Sequence, residues 1–290
     1  MRVERIESLG DPRVADYRDL KESALRDDAG LFIAESRLGV RRLLESQRFR
    51  VRSLFVTEAA LRGLRDVLEE LGDDTPVYLA SRELLSGVVG YDMHRGCVAA
   101  GERGEPASLD AILAECESGP RLLVALEDVT NPENIGGVFR NAAAFGADAV
   151  LLTRRCSDPL YRKAIRVSMG AALRTPFARV GDWPKGLRRL REAGFVVAAL
   201  TLRAGALAIS EFGCDRAVPP RLALVLGTEG EGLSDATLAA ADLEVTIPME
   251  PGVDSLNVAT ASGIALHHFA ASRGGRGAPG RGATFPCARC

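Results

Sequence analysis

Val245-Thr-Ile-Pro-Met-Glu-Pro-Gly-Val-Asp-Ser-Leu-Asn-Val-Ala-Thr-Ala-Ser-Gly-Ile-Ala-Leu-His267 reads as a short strand, a tight loop and a helix whose apolar positions recur at helical spacing. The reading places Ser255 and Asn257, two small hydrogen-bonding side chains, at the start of that helix. A helix N-terminus offers unpaired N–H groups and a partial positive charge, so such a turn commonly holds a ligand. The stretch by itself leaves the ligand open, phosphate included.

The chain before it repeats the theme. Near-continuous apolar runs at 122–126, 149–153, 195–200, 222–226 and 243–247 are separated by helical patterns. Strands of that kind predict a parallel sheet covered by helices on both faces, with ligands at the carboxyl ends of the strands. Two of those ends are unusual. After residue 126, a polar loop from Glu127 enters a helix on which Ile135, Val138, Phe139 and Ala142 form the buried stripe. Asn134 and Arg140 lie off the stripe, and Gly136 and Gly137 permit close backbone approach. By position alone Arg140 is an ordinary exposed arginine. After residue 226 comes Gly227-Thr-Glu-Gly-Glu-Gly-Leu-Ser234, whose glycines suit a ligand cradle. It is not a triphosphate loop, because Leu233 stands where that loop needs lysine. A dinucleotide fingerprint after an early strand is also missing.

Residues 1–105 form a smaller α/β unit in front. Asp11 caps a helix that starts at Pro12, a strand is expected at 31–35, and a helix at 37–45. A strand at 51–57, a helix at 58–71, a strand at 77–79 and a helix at 81–89 follow. The unit's most basic part is Arg37, Arg41, Arg42, Arg48, Arg50 and Arg52, with Arg37 and Arg41 one helical turn apart. That pattern suits a phosphate-contacting face and equally a solvated helix surface. The polar, glycine-rich segment 101–108 ends the unit, so a linker leading into a helix from Leu109 is expected over 106–120, and a second domain over 121–272. From Arg273 to Cys290 the composition is that of a disordered Arg/Gly-rich tail.

A length of 290 residues accommodates two domains, and the net charge of −2 does not announce a nucleic-acid partner, so any positive face must be local. No apolar run is long enough to span a bilayer and Met1-Arg-Val-Glu-Arg lacks the core of a signal peptide, so a soluble cytoplasmic protein without a membrane partner is expected. Six cysteines are scattered, and Cys287 with Cys290 supplies only two of the four ligands a structural zinc needs. Reduced thiols and no metal are expected.

Three motifs standing in fixed order resemble the SpoU (TrmH) family of RNA ribose methyltransferases in the SPOUT superfamily. They are Asn134-Ile-Gly-Gly-Val-Phe-Arg140 followed by Phe145-Gly146, then Leu226-Gly-Thr-Glu-Gly-Glu-Gly-Leu233, then Ile247-Pro-Met with Ser255-Leu-Asn-Val258. The resemblance covers roughly residues 120–270, and residues 1–105 resemble, less sharply, the ribosomal-protein-like substrate-binding domain that many members carry in front. It implies an α/β domain whose C-terminal segment is threaded into a trefoil knot, which connection rules alone would never propose. It also implies S-adenosylmethionine as cofactor, held at Leu226, Gly227, Gly230, Ile247, Met249 and Leu256. The implied partners are RNA, ribosomal RNA before transfer RNA, and a second copy of the chain in a homodimer, with no DNA. By the same resemblance Arg140 activates the ribose hydroxyl while Asn134, Glu229, Ser255 and Asn257 orient the site. RNA gives Arg37, Arg41, Arg42, Arg48, Arg50 and Arg52 in the first domain, with Arg154, Arg155, Arg162, Lys163 and Arg166 in the second, a purpose as phosphate contacts.

Methyl transfer to a 2′-hydroxyl is an in-line displacement, so the protein must align the oxygen, favour loss of its proton and exclude water. Free arginine titrates above ~12, so Arg140 suits stabilising a developing oxyanion better than acting as a literal base. Two other readings compete: a catalytically silent knotted module for RNA binding or ribosome assembly, and a related enzyme that methylates a base. The presence of Asn134, Arg140, Glu229, Ser255 and Asn257 argues against the first, and the Ser-Leu-Asn of the third motif against the second.

Overall fold

The computed structural model of the chain describes residues 2–18, 30–69, 71–72, 74–214, 216–228, 230–250, 252 and 254–271. Glu229 and the tail with Cys287 and Cys290 lie outside the described residues.

The first sheet holds β1 (Arg2–Arg5), β2 (Leu31–Glu35), β3 (Arg50–Val56), β4 (Pro76–Leu79) and β5 (Cys97–Glu102), in the order β1-β4-β3-β5-β2. β1, β4 and β3 run parallel, whereas β5 is antiparallel to both β3 and β2. Strand β5 was not expected. Its Gly101 lies in the polar segment read as the end of the unit, but the residue is buried in the sheet, where a side chain would collide with the Phe32 ring. The expected helix 58–71 is instead two short ones, Glu58–Gly63 and Arg65–Leu68, parted at Leu64 (φ −114°, ψ 4°). The break follows Gly63, a poor helix former, and turns Leu64 and Leu68 together into the core.

The second sheet contains β6 (Arg121–Leu126), β7 (Ala149–Thr153), β8 (Phe177–Val180), β9 (Val196–Leu200), β10 (Leu207–Ala208), β11 (Arg221–Leu226) and β12 (Leu243–Thr246). Its order is β10-β12-β9-β11-β6-β7-β8, and every pairing is parallel. Alternation along β6 explains its unbroken hydrophobicity. Leu122, Val124 and Leu126 join the core beneath helices Pro132–Ala144 and Val258–Ala271, whereas Leu123 and Ala125 join the core beneath Leu109–Glu115 and Trp183–Glu192. Helix Leu109–Glu115, inside the expected linker, thus belongs to the second sheet; Ser108 caps it by accepting from the Ala111 N–H at 3.1 Å.

The two sheets share packing. Phe32, Val40, Leu43 and Phe49 form one apolar cluster with Leu160, Ile165 and Leu173. Arg48, grouped above with the basic surface, is not a surface group. It donates to the Thr175 carbonyl at 2.7 Å with its guanidinium 5.2 Å and 5.0 Å from the Phe49 and Phe177 ring centroids, and burial lowers its pKa. Glu35, buried at the end of β2, accepts from the Tyr91 hydroxyl at 2.9 Å and from Arg166 at 3.1 Å. Burial beside that carboxylate pushes the Tyr91 phenol up. Arg103 likewise reaches the buried Asp158 at 2.7 Å. Among the described residues no helix is long and apolar enough to cross a membrane, and no cluster of His, Cys, Asp or Glu could hold a metal ion.

Removing the Glu35 carboxylate strips the half-buried Tyr91 hydroxyl of its acceptor and the exposed Arg166 of a partner. Glu35→Ala is expected to lower unfolding free energy by about 1–3 kcal/mol in urea titration, since it leaves the half-buried Tyr91 hydroxyl without its acceptor. A change below ~0.5 kcal/mol would show that this junction contributes no more than an exposed ion pair.

Candidate functional site at the carboxyl edge of the second sheet

The carboxyl ends of β9, β11 and β12 surround a cavity of about 550 Å³. Three chain segments build it. Leu226 and Gly227 close β11; Ile247 and Met249 follow β12; Ser255, Leu256 and Val258 lead into the last helix. The walls are chiefly aliphatic, as small-molecule sites usually are.

The β11 loop is shaped by backbone approach. Any side chain at Gly227 would collide with the Gly232 carbonyl, so glycine is required there. The loop folds back through a bridge between Thr228 and Gly232, the Gly232 N–H donating to the Thr228 carbonyl at 3.1 Å, and Gly230 adopts φ 94°. Its far end is tied to the sheet by Glu127, a buried carboxylate just past β6. Glu127 accepts from the Ser234 N–H at 3.1 Å and from the Ser234 hydroxyl at 2.7 Å. Ser234 also caps helix Asp235–Ala240 by accepting from Thr237 N–H at 3.2 Å.

A second construction joins the helix Pro132–Ala144 to the last helix, Val258–Ala271. Asn131 and Pro132 start the first of these: the Asn131 side chain accepts from Glu133 N–H at 2.8 Å, and proline fills the first position. Asn257 starts the other, its Oδ1 accepting from Ala259 and Thr260 N–H at 3.0 and 3.2 Å. With its remaining Nδ2 it donates to Asn134 Oδ1 at 2.8 Å. Further along, Asn141 donates to the Ala259 carbonyl at 2.7 Å and to the Ser262 hydroxyl at 2.9 Å. The paired glycines serve different neighbours: a Cβ on Gly137 would lie 2.5 Å from the Ala259 side chain, and one on Gly136 2.7 Å from the Ala164 carbonyl. Asn134 is therefore buried at this seam. Its place off the apolar stripe does not expose it.

All six residues expected to hold the cofactor (Leu226, Gly227, Gly230, Ile247, Met249 and Leu256) line the cavity, together with Ser255. Asn134 and Asn257 are brought together next to it but are not among its lining residues. Arg140 is exposed, outside the lining, and makes no ion pair or side-chain hydrogen bond among the described residues. The basic residues divide. Arg41 pairs with Asp66 at 2.5 Å, Arg42 with Glu45 at 2.9 Å and Arg155 with Asp128 at 3.1 Å, whereas Arg37 and Arg154 make no ion pair among the described residues. Sequence reading missed Glu127, Asn141 and the 200–203 segment of the rim. Asn141 had a signal, because it lies seven residues, about two helical turns, beyond Asn134.

A parallel sheet that gathers three carboxyl-end loops around one aliphatic cavity, with a glycine-dependent backbone fold at its floor, defines an α/β protein built to hold a small organic ligand. Residues 121–267 match the model of the SpoU rRNA Methylase family. The chain belongs to that family of RNA methyltransferases. It is 42% identical over 261 residues to an uncharacterized tRNA/rRNA methyltransferase of Mycobacterium bovis, covering 89% of this chain and 88% of that one. It is 38% identical over 188 residues to the 23S rRNA (guanosine-2′-O-)-methyltransferase of Ralstonia nicotianae, covering 64% of this chain and 73% of that one. The fold is similar to that of an rRNA methyltransferase from Sinorhizobium meliloti solved with AdoMet bound, at TM-score 0.76 and 26% identity, covering 92% and 97% of the two chains.

A methyl group added at Gly227 has nowhere to go except into the loop's own backbone. Gly227→Ala is expected to abolish calorimetric binding of S-adenosylhomocysteine while costing about 1–3 kcal/mol of stability, the usual penalty for overpacking. Binding of wild-type strength in a folded Gly227→Ala protein would rule out the loop as the cradle.

Proposed function

We propose that this chain transfers a methyl group from S-adenosylmethionine to the 2′-hydroxyl of a ribose in structured RNA, ribosomal RNA in the first place. The observation that carries the reading is the cavity: every residue that the family resemblance assigns to cofactor binding lines one space of about 550 Å³. Its chemistry fits the cofactor. Leu226, Ile247 and Leu256 offer apolar walls to a planar nucleoside, and the backbone exposed by Gly227 and Gly230 offers directional hydrogen bonds. When bound, S-adenosylmethionine supplies an activated methyl group on a cationic sulfur. The 2′-O assignment draws support from the Ralstonia relative and from the Ser255-Leu256-Asn257 sequence.

In this reading the Asn134–Asn257 bond holds the reacting edge rigid, so the hydroxyl meets the methyl in line. Arg140 stabilises the charge that develops on the ribose oxygen as its proton departs, and Ser255 at the cavity wall orients the approach. Glu229 completes this set. The β11 and β12 loops are two passes of the trefoil knot, and the chain acts as a homodimer. The face beside Arg140 suits that assembly: Ala143, Ala144, Thr260 and His267 are exposed there, and Ile264 is 41% exposed. Residues 1–105 are the RNA-binding domain. Arg37 and Arg154 make the first phosphate contacts, and Arg41, Arg42 and Arg155 exchange weak exposed ion pairs for phosphates. The methylation takes place in the cytoplasm.

Arg140→Ala is expected to lower single-turnover methyl transfer by about 10²–10³-fold, the size seen when a charge-stabilising donor is removed, while S-adenosylhomocysteine binding changes less than about twofold. Near-normal turnover would remove Arg140 from the mechanism. Deleting the gene and mapping 2′-O-methyl sites across total RNA should erase one site in ribosomal RNA. If no site disappears from either ribosomal or transfer RNA, the catalytically silent module becomes the better reading.

A further inference from the structure

The rim of the cavity carries a cation that the chemistry above does not use. β9 ends at Leu200, and the chain then makes a closed turn: Thr201 N–H donates to the Val245 carbonyl at 2.9 Å, and Ala206 N–H donates to the Arg203 carbonyl at 3.2 Å. Gly205 at φ 91° lets the turn close. This places Arg203 on the rim, with its Nη2 3.0 Å from Asp235 Oδ1 across the mouth. Among the described lining residues Arg203 is the sole cation, and Asp235, Asp254 and Glu231 are the acidic ones.

The remainder of the lining sorts by polarity. Leu226, Leu238, Ile247, Leu256 and Val258 are aliphatic, so the part of a ligand that seeks apolar surface belongs against them. A zwitterionic amino-acid end belongs at the rim, where both signs of charge stand ready. Asp235 and Asp254 suit an ammonium group; only Arg203 suits a carboxylate, which its planar fork can grip with two parallel hydrogen bonds. The existing pair does not prevent the exchange. The side chains of Arg203 and Asp235 are 54% and 92% exposed, and a pair so open to water contributes little.

We propose that Arg203 reads the α-carboxylate of the methyl donor, leaving Asp235 to do so, and thereby selects a ligand with an intact amino-acid end. This rests on the assignment of S-adenosylmethionine to the cavity. Arg203 acts on donor selection and takes no part in moving the methyl group. Asp235, once released, faces the adjoining ammonium group.

Calorimetry on the full-length protein tests this with S-adenosylhomocysteine and its decarboxylated counterpart, which differ only in the carboxylate. Wild type is expected to prefer S-adenosylhomocysteine by about tenfold, in line with one hydrogen-bonded charge contact. Arg203→Ala should erase the preference by weakening that ligand alone, and Arg203→Lys, which keeps the charge without the fork, should restore part of it. The proposal is overturned if wild type shows no preference, if the preference survives in Arg203→Ala, or if Arg203→Ala weakens both ligands equally. A wild type that binds neither ligand defeats the donor assignment itself, and this inference with it.

Discussion

One side chain, Asn257, ties the candidate site together. Its oxygen caps the last helix and its amide nitrogen reaches Asn134 at the start of the helix Pro132–Ala144. An asparagine can do both because it carries an acceptor and two donors on one rigid plane. Alanine in its place would free two N–H groups at the helix start and remove the bond to the buried Asn134 oxygen. The seam that follows depends on the registration this bond sets: Gly137 under Ala259, Asn141 on the Ala259 carbonyl and the Ser262 hydroxyl. Small residues and amides along one line let the two helices approach until Gly137 has no room for a side chain beside Ala259.

The cavity is formed on the other side of that seam. The last helix enters it through Ser255, Leu256 and Val258, so whatever fixes the helix start also fixes one wall. The opposite wall comes from the β11 loop, held by a separate device, the Glu127 carboxylate on Ser234. Glu127 and Asn257 thus anchor two loops independently against the same parallel sheet. The division is useful chemically, because a ligand pocket with two separately braced walls keeps its shape while a bulky second substrate approaches from outside. The front sheet is tied to the second by Glu35, Arg48 and Arg103, each of which reaches a partner on the far side of the junction.

Much of the architecture was legible because parallel strands buried on both faces must be apolar throughout. Five such runs showed in the sequence, and each is a strand of the second sheet within one or two residues. The strands that escaped are those with mixed demands. β5 carries Gly101 because the Phe32 ring packs over it, and a glycine beside Ala99 and Ala100 looks like the end of a unit. β1, β8 and β10 are short edge strands with little apolar signal. Among site residues, the cavity-lining set was legible through the family motifs, whereas Glu127 was read only as loop polarity.

The sequence by itself determined the class of protein: motif order and spacing place Asn134, Gly227 and Asn257 at loop and helix starts whose geometry tolerates few other residues. What only the tertiary structure decided is which polar groups are spent and which are available. Arg48 looked like its neighbours in the basic stretch and is packed between two phenylalanine rings, while Arg140, six residues past Asn134 on the same helix, remains open to solvent. Asn134 itself looked exposed by helical phase and is buried by a helix arriving from 123 residues away in sequence. Periodicity reports which face of an element is apolar. It carries no information about a polar face covered by a distant segment, since that depends on where the chain returns.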